Sequence, residues 1–174
     1  KELVAKPYMN HAVKPEKKSY SFVLDPAAEE AKMKDVAERQ TKGELFSVVE
    51  MQDTLHIIKY APKNVLAYSF FTPTKGLTAG EVVSSATELL LIEQKNTDGS
   101  LSLGMANPNL RPKMLDKKNW KEISTPAFIE LKGIWQMDGN VPGVFLKTME
   151  NGNTEVSCLL RNGLPVYMKL VKQK

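Results

Sequence analysis

The segment from Leu89 to Leu110 constrains the fold more than any other, because it predicts a complete β-hairpin. Its first four residues, Leu89–Ile92, are all apolar, which is typical of a strand covered on both faces. Asn96–Gly99 supplies residues that tolerate the positive φ angles of a hairpin turn. Over Leu101–Ala106 apolar residues alternate with small or polar ones, which is the period of a half-buried strand. Asn107-Pro108-Asn109 then ends the strand, because proline cannot donate a ladder hydrogen bond.

From Glu44 onward the sequence contains almost only strand patterns and turn residues. Asn151-Gly152 is a strong signal for a short hairpin turn. The predicted strands are Leu45–Met51, Thr54–Tyr60, Val65–Phe71, Glu88–Gln94, Ser100–Ala106, Ala127–Lys132, Val144–Glu150, Thr154–Leu160 and Pro165–Val171. Many short strands at close spacing predict a mainly β chain, folded as an antiparallel sandwich or barrel.

The first 42 residues have a different character. Ser19–Leu24 is predicted to form a strand, and a helix is expected to follow it. Asp25 is a suitable N-cap with Pro26 at the first helical position, and Met33–Gln40 presents one face at helical spacing. Gly43 is expected to end this helix.

Composition bounds the classes of partner. The net charge is +4, from 24 basic against 20 acidic residues, which is too mild an excess to indicate nucleic-acid binding. The lysines cluster in turn-like or terminal segments, where a solvated surface is the ordinary interpretation and attraction of a polyanion is the functional alternative. Cys158 is the only cysteine, so no intrachain disulfide can form. No apolar run approaches the roughly 18 residues of a membrane span.

The start of the chain leaves two interpretations open. No signal peptide is evident, and the chain begins with Lys1 rather than methionine. Both a processed protein and an excised part of a longer one are compatible with this start.

The search for catalytic motifs returns no catalytic residue. With two histidines and one cysteine, a Cys/His metal cluster is not available, and no nucleophile elbow, phosphate loop or zinc-protease motif occurs. His56 lies inside a predicted strand, where a structural role is more usual than a catalytic one. His11 lies in a loop-like segment, where hydrogen bonding within a turn is the more usual role and catalysis is the alternative.

Two tryptophans are the candidate carbohydrate-binding residues. Trp120 and Trp135 lie in or near predicted loops, where an exposed indole could stack on a sugar ring. The ordinary alternative is packing, because tryptophan is usually largely buried. For Tyr68, Phe70 and Phe71, which fall on both faces of one strand, core packing is expected.

The order of segments resembles polysaccharide lyase family 8, which includes hyaluronate lyases, xanthan lyases and chondroitinases. Tyr8–Pro15 followed by Ser19–Leu24 is similar to the pattern near the end of the central β domain in that family. The later segments that follow in the expected order are Leu55–Ile58, Asn64–Pro73, Leu91–Gln94, Ala106–Leu110, Gly133–Gln136 and Gly163–Pro165. Within the family, the chain looks most like the C-terminal part of the chondroitin sulfate lyases.

The resemblance implies a domain organisation and places the chemistry elsewhere. Residues 1–42 would be the end of the central β-sandwich domain with a connecting helix, and residues 43–174 the C-terminal antiparallel β-sandwich domain. These lyases cleave uronic-acid-containing polysaccharides by β-elimination, and their catalytic tyrosine, histidine, asparagine and arginine lie upstream of the region that this chain matches. No catalytic residue is therefore carried over onto this sequence. Calcium or magnesium matters to related enzymes, but no ligand set is evident here.

We therefore expect a non-catalytic C-terminal portion of a secreted or periplasmic lyase that degrades chondroitin sulfate and dermatan sulfate. Its expected partners are the upstream catalytic and central domains, which it would brace, and an anionic polysaccharide. It would extend the wall of the cleft that holds this polysaccharide. Neither nucleic acid nor a membrane is an expected partner. The alternative is a freestanding carbohydrate-binding β-sandwich module for anionic polysaccharide. A purely structural sandwich without a ligand is the third possibility.

Overall fold

Two antiparallel sheets face each other and enclose the core. A computed structural model describes residues 30–107 and 124–173. Within these ranges, one sheet has seven strands in the order β1-β2-β3-β6-β7-β12-β9 and the other has five in the order β10-β11-β8-β5-β4. Every strand pairing is antiparallel. The predicted mainly β fold and its antiparallel sandwich are thus confirmed.

The elements follow one another along the chain with short connections. They are α1 (Glu30–Thr41), β1 (Phe46–Gln52), β2 (Leu55–Tyr60), a 3-10 turn (Ala61–Lys63), β3 (Val65–Phe70), β4 (Thr74–Lys75), β5 (Val82–Ser85), β6 (Leu89–Lys95), β7 (Leu101–Ala106), β8 (Ser124–Leu131), β9 (Trp135–Met137), β10 (Val144–Thr148), β11 (Thr154–Arg161) and β12 (Val166–Lys172). All nine strands predicted from Leu45 onward are present. The predicted strand Ser19–Leu24 lies outside the described residues.

Three strands were not predicted, and all of them are short. These are β4, β5 and β9. A strand of two to four residues shows too few alternations to be distinguished from a loop in the sequence. Their positions depend on pairing with longer neighbours: on one sheet β5 pairs with β8 and β4 pairs with β5, and on the other sheet β9 pairs with β12.

The β6–β7 hairpin is present as predicted, but the environment of its first strand was predicted wrongly. Leu89 and Leu91 are buried, whereas Leu90 and Ile92 are 42% and 52% exposed. Successive side chains of a strand point to opposite faces, and only one face of the seven-stranded sheet is covered by the other sheet. Consecutive apolar residues in β6 therefore supply both the core and an apolar outer surface.

Helix α1 ends in a Schellman motif. The backbone N–H of Glu44 donates to the carbonyl of Arg39 (2.9 Å), and the N–H of Gly43 donates to the carbonyl of Gln40 (3.0 Å). Gly43 has φ +72°, which glycine adopts without steric cost. The predicted helix end at Gly43 is confirmed, while the predicted start at Asp25 and Pro26 lies outside the described residues.

The core lies between the sheets and is made of alternate residues from the longest strands. The seven-stranded sheet contributes side chains from β2, β3, β6, β7 and β12, and the five-stranded sheet contributes them from β5, β8 and β11. The largest fully buried side chains include Tyr68, Leu55, Ile57, Leu89, Leu91, Leu101, Leu103, Met105, Ile129, Leu131, Leu160 and Leu170. Cys158, on the inner face of β11, is also buried.

Adjacent leucines of β6 provide a test of this alternation. Leu91→Ala should lower the free energy of unfolding by about 2–5 kcal/mol, because it leaves a cavity in the core. Leu90→Ala should change it by less than about 1 kcal/mol, because Leu90 is already 42% exposed. Urea unfolding followed by circular dichroism measures both values. Equal losses for the two variants would contradict the assigned register.

Candidate functional site

The two tryptophans predicted to bind carbohydrate have different outcomes. Trp120 lies outside the described residues, so its role stays a prediction. Trp135 starts β9 and is only 3% exposed, so its placement is that of the packing alternative and not of an exposed sugar-stacking ring. Its indole N–H donates to the carbonyl of Lys132 (3.0 Å), and the Lys172 ammonium lies 5.3 Å from the ring centroid. A ring held in this way packs the core and offers no face to a sugar.

Residues 30–107 and 124–173 contain no group of three or more histidine, cysteine, aspartate or glutamate side chains arranged to hold a metal ion. His56 contacts the edge of the Phe71 ring at a centroid distance of 5.0 Å. In the same ranges no helix is long and apolar enough to cross a membrane. The polar side chains that do converge form a network between the sheets.

Glu93 is the centre of this inter-sheet network, which comprises Tyr68, Glu81, Glu93, Lys95 and Lys172. It lies on the inner face of β6, where it is 3% exposed. Its carboxylate accepts hydrogen bonds from the Tyr68 hydroxyl (2.8 Å) and from the backbone N–H groups of Glu81 (2.9 Å) and Val82 (3.4 Å). Because Val82 begins β5, one side chain of the seven-stranded sheet holds the start of a strand in the other sheet.

The residue before Glu81 must be very small. A Cβ atom at Gly80 would lie 2.6 Å from both carboxylate oxygens of Glu93 and from the Tyr68 hydroxyl. Real Cβ contacts are essentially never this short, so any side chain at position 80 would push the backbone away from Glu93. Gly80 thus allows the close approach that the three hydrogen bonds require.

Two lysines complete the network at its solvent side. The Lys95 ammonium lies 2.6 Å from one carboxylate oxygen of Glu81, and the Lys172 ammonium lies 3.7 Å from the other. The hydrogen bond and charge of Glu81 raise the pKa of Lys95. The carbonyl of Glu81 also accepts the backbone N–H of Lys132 (2.8 Å), directly after β8. Every member of the network therefore joins strands to one another.

The electrostatics of the network oppose catalysis by Tyr68. Burial, reinforced by the negative charge and hydrogen bond of Glu93, raises the pKa of Tyr68 well above its usual value. A tyrosine that acts as a general base must first lose its own proton, which a raised pKa disfavours near neutral pH. Tyr68 instead keeps its proton and donates a hydrogen bond to Glu93. The network therefore links the two sheets.

Tyr68→Phe tests this assignment. At neutral pH it should lower the free energy of unfolding by about 1–3 kcal/mol, because buried Glu93 loses a donor. The pKa of Tyr68 is raised on folding, so its contribution is full below the unfolded value of 10.0 and is lost as pH rises above it. The wild-type chain should therefore lose stability more steeply than Tyr68→Phe above about pH 10.

The control for that experiment is Tyr167→Phe, since Tyr167 lies on the outer face and is exposed. Urea unfolding at several pH values gives both comparisons. The assignment fails if the two variants show the same pH dependence.

The outer face of the five-stranded sheet carries a charged row that crosses all five strands. Paired positions from edge to edge are Lys147, Glu155, Glu130, Ser84 and Lys75. Glu130 accepts hydrogen bonds from Asn153 (2.6 Å), Asn151 (2.8 Å) and Ser84 (3.1 Å), and the asparagine bonds chiefly lower the pKa of its carboxyl group. These contacts hold the β10–β11 turn against β8. Beside this row, Phe145 and Phe128 are exposed.

The outer face of the seven-stranded sheet is apolar instead. One line of paired positions, which we name the apolar row, runs across six strands: Val48, Ile58, Ala67, Ile92, Gly104 and Tyr167. Four of these side chains, at positions 48, 58, 92 and 167, are large and exposed. A Cβ atom at Gly104 would lie 2.9 Å from the Tyr167 ring, so the ring lies directly over the glycine. The apolar row contains no ionisable side chain other than the phenol of Tyr167.

Structural comparison defines the class of this sandwich. A xanthan lyase from Paenibacillus matches with a TM-score of 0.59 and 14% identity over 81% of this chain and 12% of that protein. A chondroitin AC lyase from Streptomyces coelicolor A3, solved with chondroitin sulphate, matches with a TM-score of 0.57 and 11% identity over 85% of this chain and 17% of that protein. The fold is one that polysaccharide lyases contain.

Sequence comparison adds a specific relative. The chondroitin sulfate ABC exolyase of Proteus vulgaris is 24% identical over 166 residues, and the match covers 84% of this chain. No protein-family model matches the sequence. The chain is thus related to polysaccharide lyases, and it spans 16% of the length of the exolyase.

The sequence did not reveal the inter-sheet network. Glu93 follows four apolar residues in β6 and has no motif around it. One signal was available, because the alternation that places Leu89 and Leu91 inside also places Glu93 inside. Its partners Glu81 and Val82 were not predicted to be in a strand. The network therefore depends on a contact between β6 and the start of β5 that the sequence pattern did not show.

Proposed function

We propose that this chain is the C-terminal, non-catalytic portion of a family 8 polysaccharide lyase. The longer lyase polypeptide would degrade chondroitin sulfate and dermatan sulfate by β-elimination. The observation that carries the proposal is the match to the exolyase over 84% of this chain and only 16% of that enzyme. A match of that extent fits one part of a larger enzyme.

The internal chemistry of the sandwich supports a scaffold role. Glu81 and Glu93, the buried acidic side chains of the described core, both connect strands. The pKa of Tyr68 is shifted in the direction that opposes proton abstraction. Polar groups that a lyase could have used for catalysis are used here to hold the two sheets together.

The setting of the chain is part of the same proposal. We place residues 1–42 at the end of a central domain and residues 43–174 in the C-terminal domain, which braces the catalytic and central domains and extends the wall of the polysaccharide cleft. The longer polypeptide is secreted or periplasmic, as the resemblance to family 8 implies. Calcium or magnesium would act in the longer enzyme, and neither nucleic acid nor a membrane is a partner.

A lyase assay tests the proposal. The 174-residue chain and the longer polypeptide are each incubated with chondroitin sulfate and dermatan sulfate, and unsaturated uronate is followed by its ultraviolet absorbance. The longer polypeptide should form product, whereas the 174-residue chain should form none above a mock purification. Product from the 174-residue chain would contradict the non-catalytic assignment. A natural reading frame of only 174 codons would contradict the lyase assignment itself.

One observation favours the alternative of a freestanding carbohydrate-binding module. Phe145 and Phe128 are exposed on the same line of the five-stranded sheet, on either side of Ser157. Exposed aromatic rings can stack on sugars. Against this, the two lysines of the adjacent charged row are balanced by Glu130 and Glu155, so the row presents no excess of positive charge to a sulfated chain. The scaffold assignment is therefore preferred.

Affinity electrophoresis through a gel containing chondroitin sulfate separates the two functions. The scaffold assignment predicts that the 174-residue chain migrates unchanged, as in a gel without the polysaccharide. Retardation that is lost in Trp120→Ala or Phe145→Ala would support the binding module and identify its aromatic residue. Lys42→Ala, a change in the turn after α1, is the control for a general effect of charge.

A further inference from the structure

The outer surfaces of the two sheets differ in a way that the fold alone does not require. On the five-stranded sheet, Glu130 of the charged row is hydrogen bonded to Ser84 and to two asparagines, and the exposed rings of Phe145 and Phe128 lie beside this row. The seven-stranded sheet presents the apolar row, in which Ile92 is 52% exposed. Contiguous apolar surface on a folded protein marks a contact with another surface.

The rows on either side of the apolar row also contain little charge. One consists of Met51, His56, Ser69, Leu90 and Ala106, and the other of Phe46, Tyr60, Val65, Gln94, Ser102 and Lys169. Lys169, the lysine in these rows, lies 3.0 Å from Asp138 and 3.4 Å from Asp98. A sulfated polysaccharide requires cationic side chains, so this face does not suit that ligand. Its chemistry suits an apolar protein surface.

The junction between α1 and β1 indicates which part of a longer polypeptide could supply such a protein surface. Helix α1 leads into β1, the edge strand of the seven-stranded sheet. The Gln40 side chain fixes this junction by exchanging two hydrogen bonds with the backbone of Phe46, at 3.1 and 3.2 Å. Within α1, Met33 on the apolar helix face is exposed as well. Helix α1 thus joins the sandwich at the sheet edge where Val48 and Met51 are exposed.

We propose that the apolar row is the surface through which this chain packs against the preceding part of the longer lyase polypeptide. The inference rests on the proposed function, and it adds a specific face and orientation to it. The length of the relatives supports this occupant, because the matched region is 16% of the exolyase and 12% and 17% of the two lyase structures. Most of such a polypeptide lies outside the sandwich and is available to cover its apolar face.

Covalent footprinting tests the proposal directly. A photoactivated carbene label is applied to the 174-residue chain and to the longer polypeptide, and labelling is read at Ile58, Ile92 and Tyr167. Labelling of these residues should fall about fivefold or more in the longer polypeptide, as expected for side chains at the centre of an interface. Labelling of Phe145, which is 69% exposed on the opposite sheet, should stay unchanged.

A charge substitution provides the second measurement. Ile92→Lys should leave the thermal midpoint of the 174-residue chain unchanged, because position 92 is exposed there. It should lower the midpoint of the longer polypeptide and raise its rate of limited proteolysis about tenfold, since a lysine would be buried without a partner. Phe145→Lys is the matched control and should change neither quantity.

The outcomes distinguish this inference from its rivals. Equal labelling of the apolar row in both proteins overturns it, as does an equal effect of the two substitutions in the longer polypeptide. Low labelling already in the 174-residue chain would assign the face to a segment of this chain or, if sedimentation shows a dimer, to a second copy. If the longer polypeptide is an active lyase but its apolar row is labelled as in the 174-residue chain, only the inference is overturned. If the apolar row is protected from labelling but the longer polypeptide has no lyase activity, only the proposed function is overturned.

Discussion

The sandwich depends on a buried carboxylate that bridges its two layers. Removing a charged group from water costs several kcal/mol unless it is fully hydrogen bonded. Glu93 meets this requirement with one hydroxyl and two backbone N–H donors. Two of these donors belong to the segment that begins β5, so the carboxylate is satisfied only when the five-stranded sheet is correctly placed. The bridge therefore favours one relative position of the sheets, which apolar packing alone specifies less sharply.

This constraint explains several features around the network. Gly80 is required because a Cβ atom at this position would lie 2.6 Å from the carboxylate oxygens of Glu93 and from the Tyr68 hydroxyl. The largely buried carboxylate of Glu81 is neutralised by Lys95 and Lys172, the second of which also lies over Trp135. The tryptophan is consequently part of the inter-sheet structure. An indole in this position stabilises the sandwich and is not free to recognise a ligand.

The sequence predicted the parts of the fold that are determined locally. Long strands have enough residues to show their period, and Gly43 marks a helix end whose geometry needs glycine. The burial of Trp135 and the exposure of Leu90 and Ile92 were harder to predict from the sequence. Each depends on whether the other sheet covers that face in three dimensions. The same reason applies to Glu93, whose charge alone suggests solvent exposure. Local pattern identifies elements, whereas tertiary pairing decides which of their faces is covered.

The two outer faces of the sandwich have different physical requirements. The charged row across β10, β11, β8, β5 and β4 contains acidic and basic side chains, and Glu130 at its centre is fully hydrogen bonded near solvent, so this row is stable when left in water. The apolar row has no comparable set of hydrogen-bonded polar side chains. Strand β1 adds exposed apolar side chains at a sheet edge, where strands tend to associate. A sandwich with one solvated face and one apolar face has a defined orientation relative to whatever it contacts. In a lyase such orientation would be useful, because a scaffold domain supports a polysaccharide cleft only when it is held in one position.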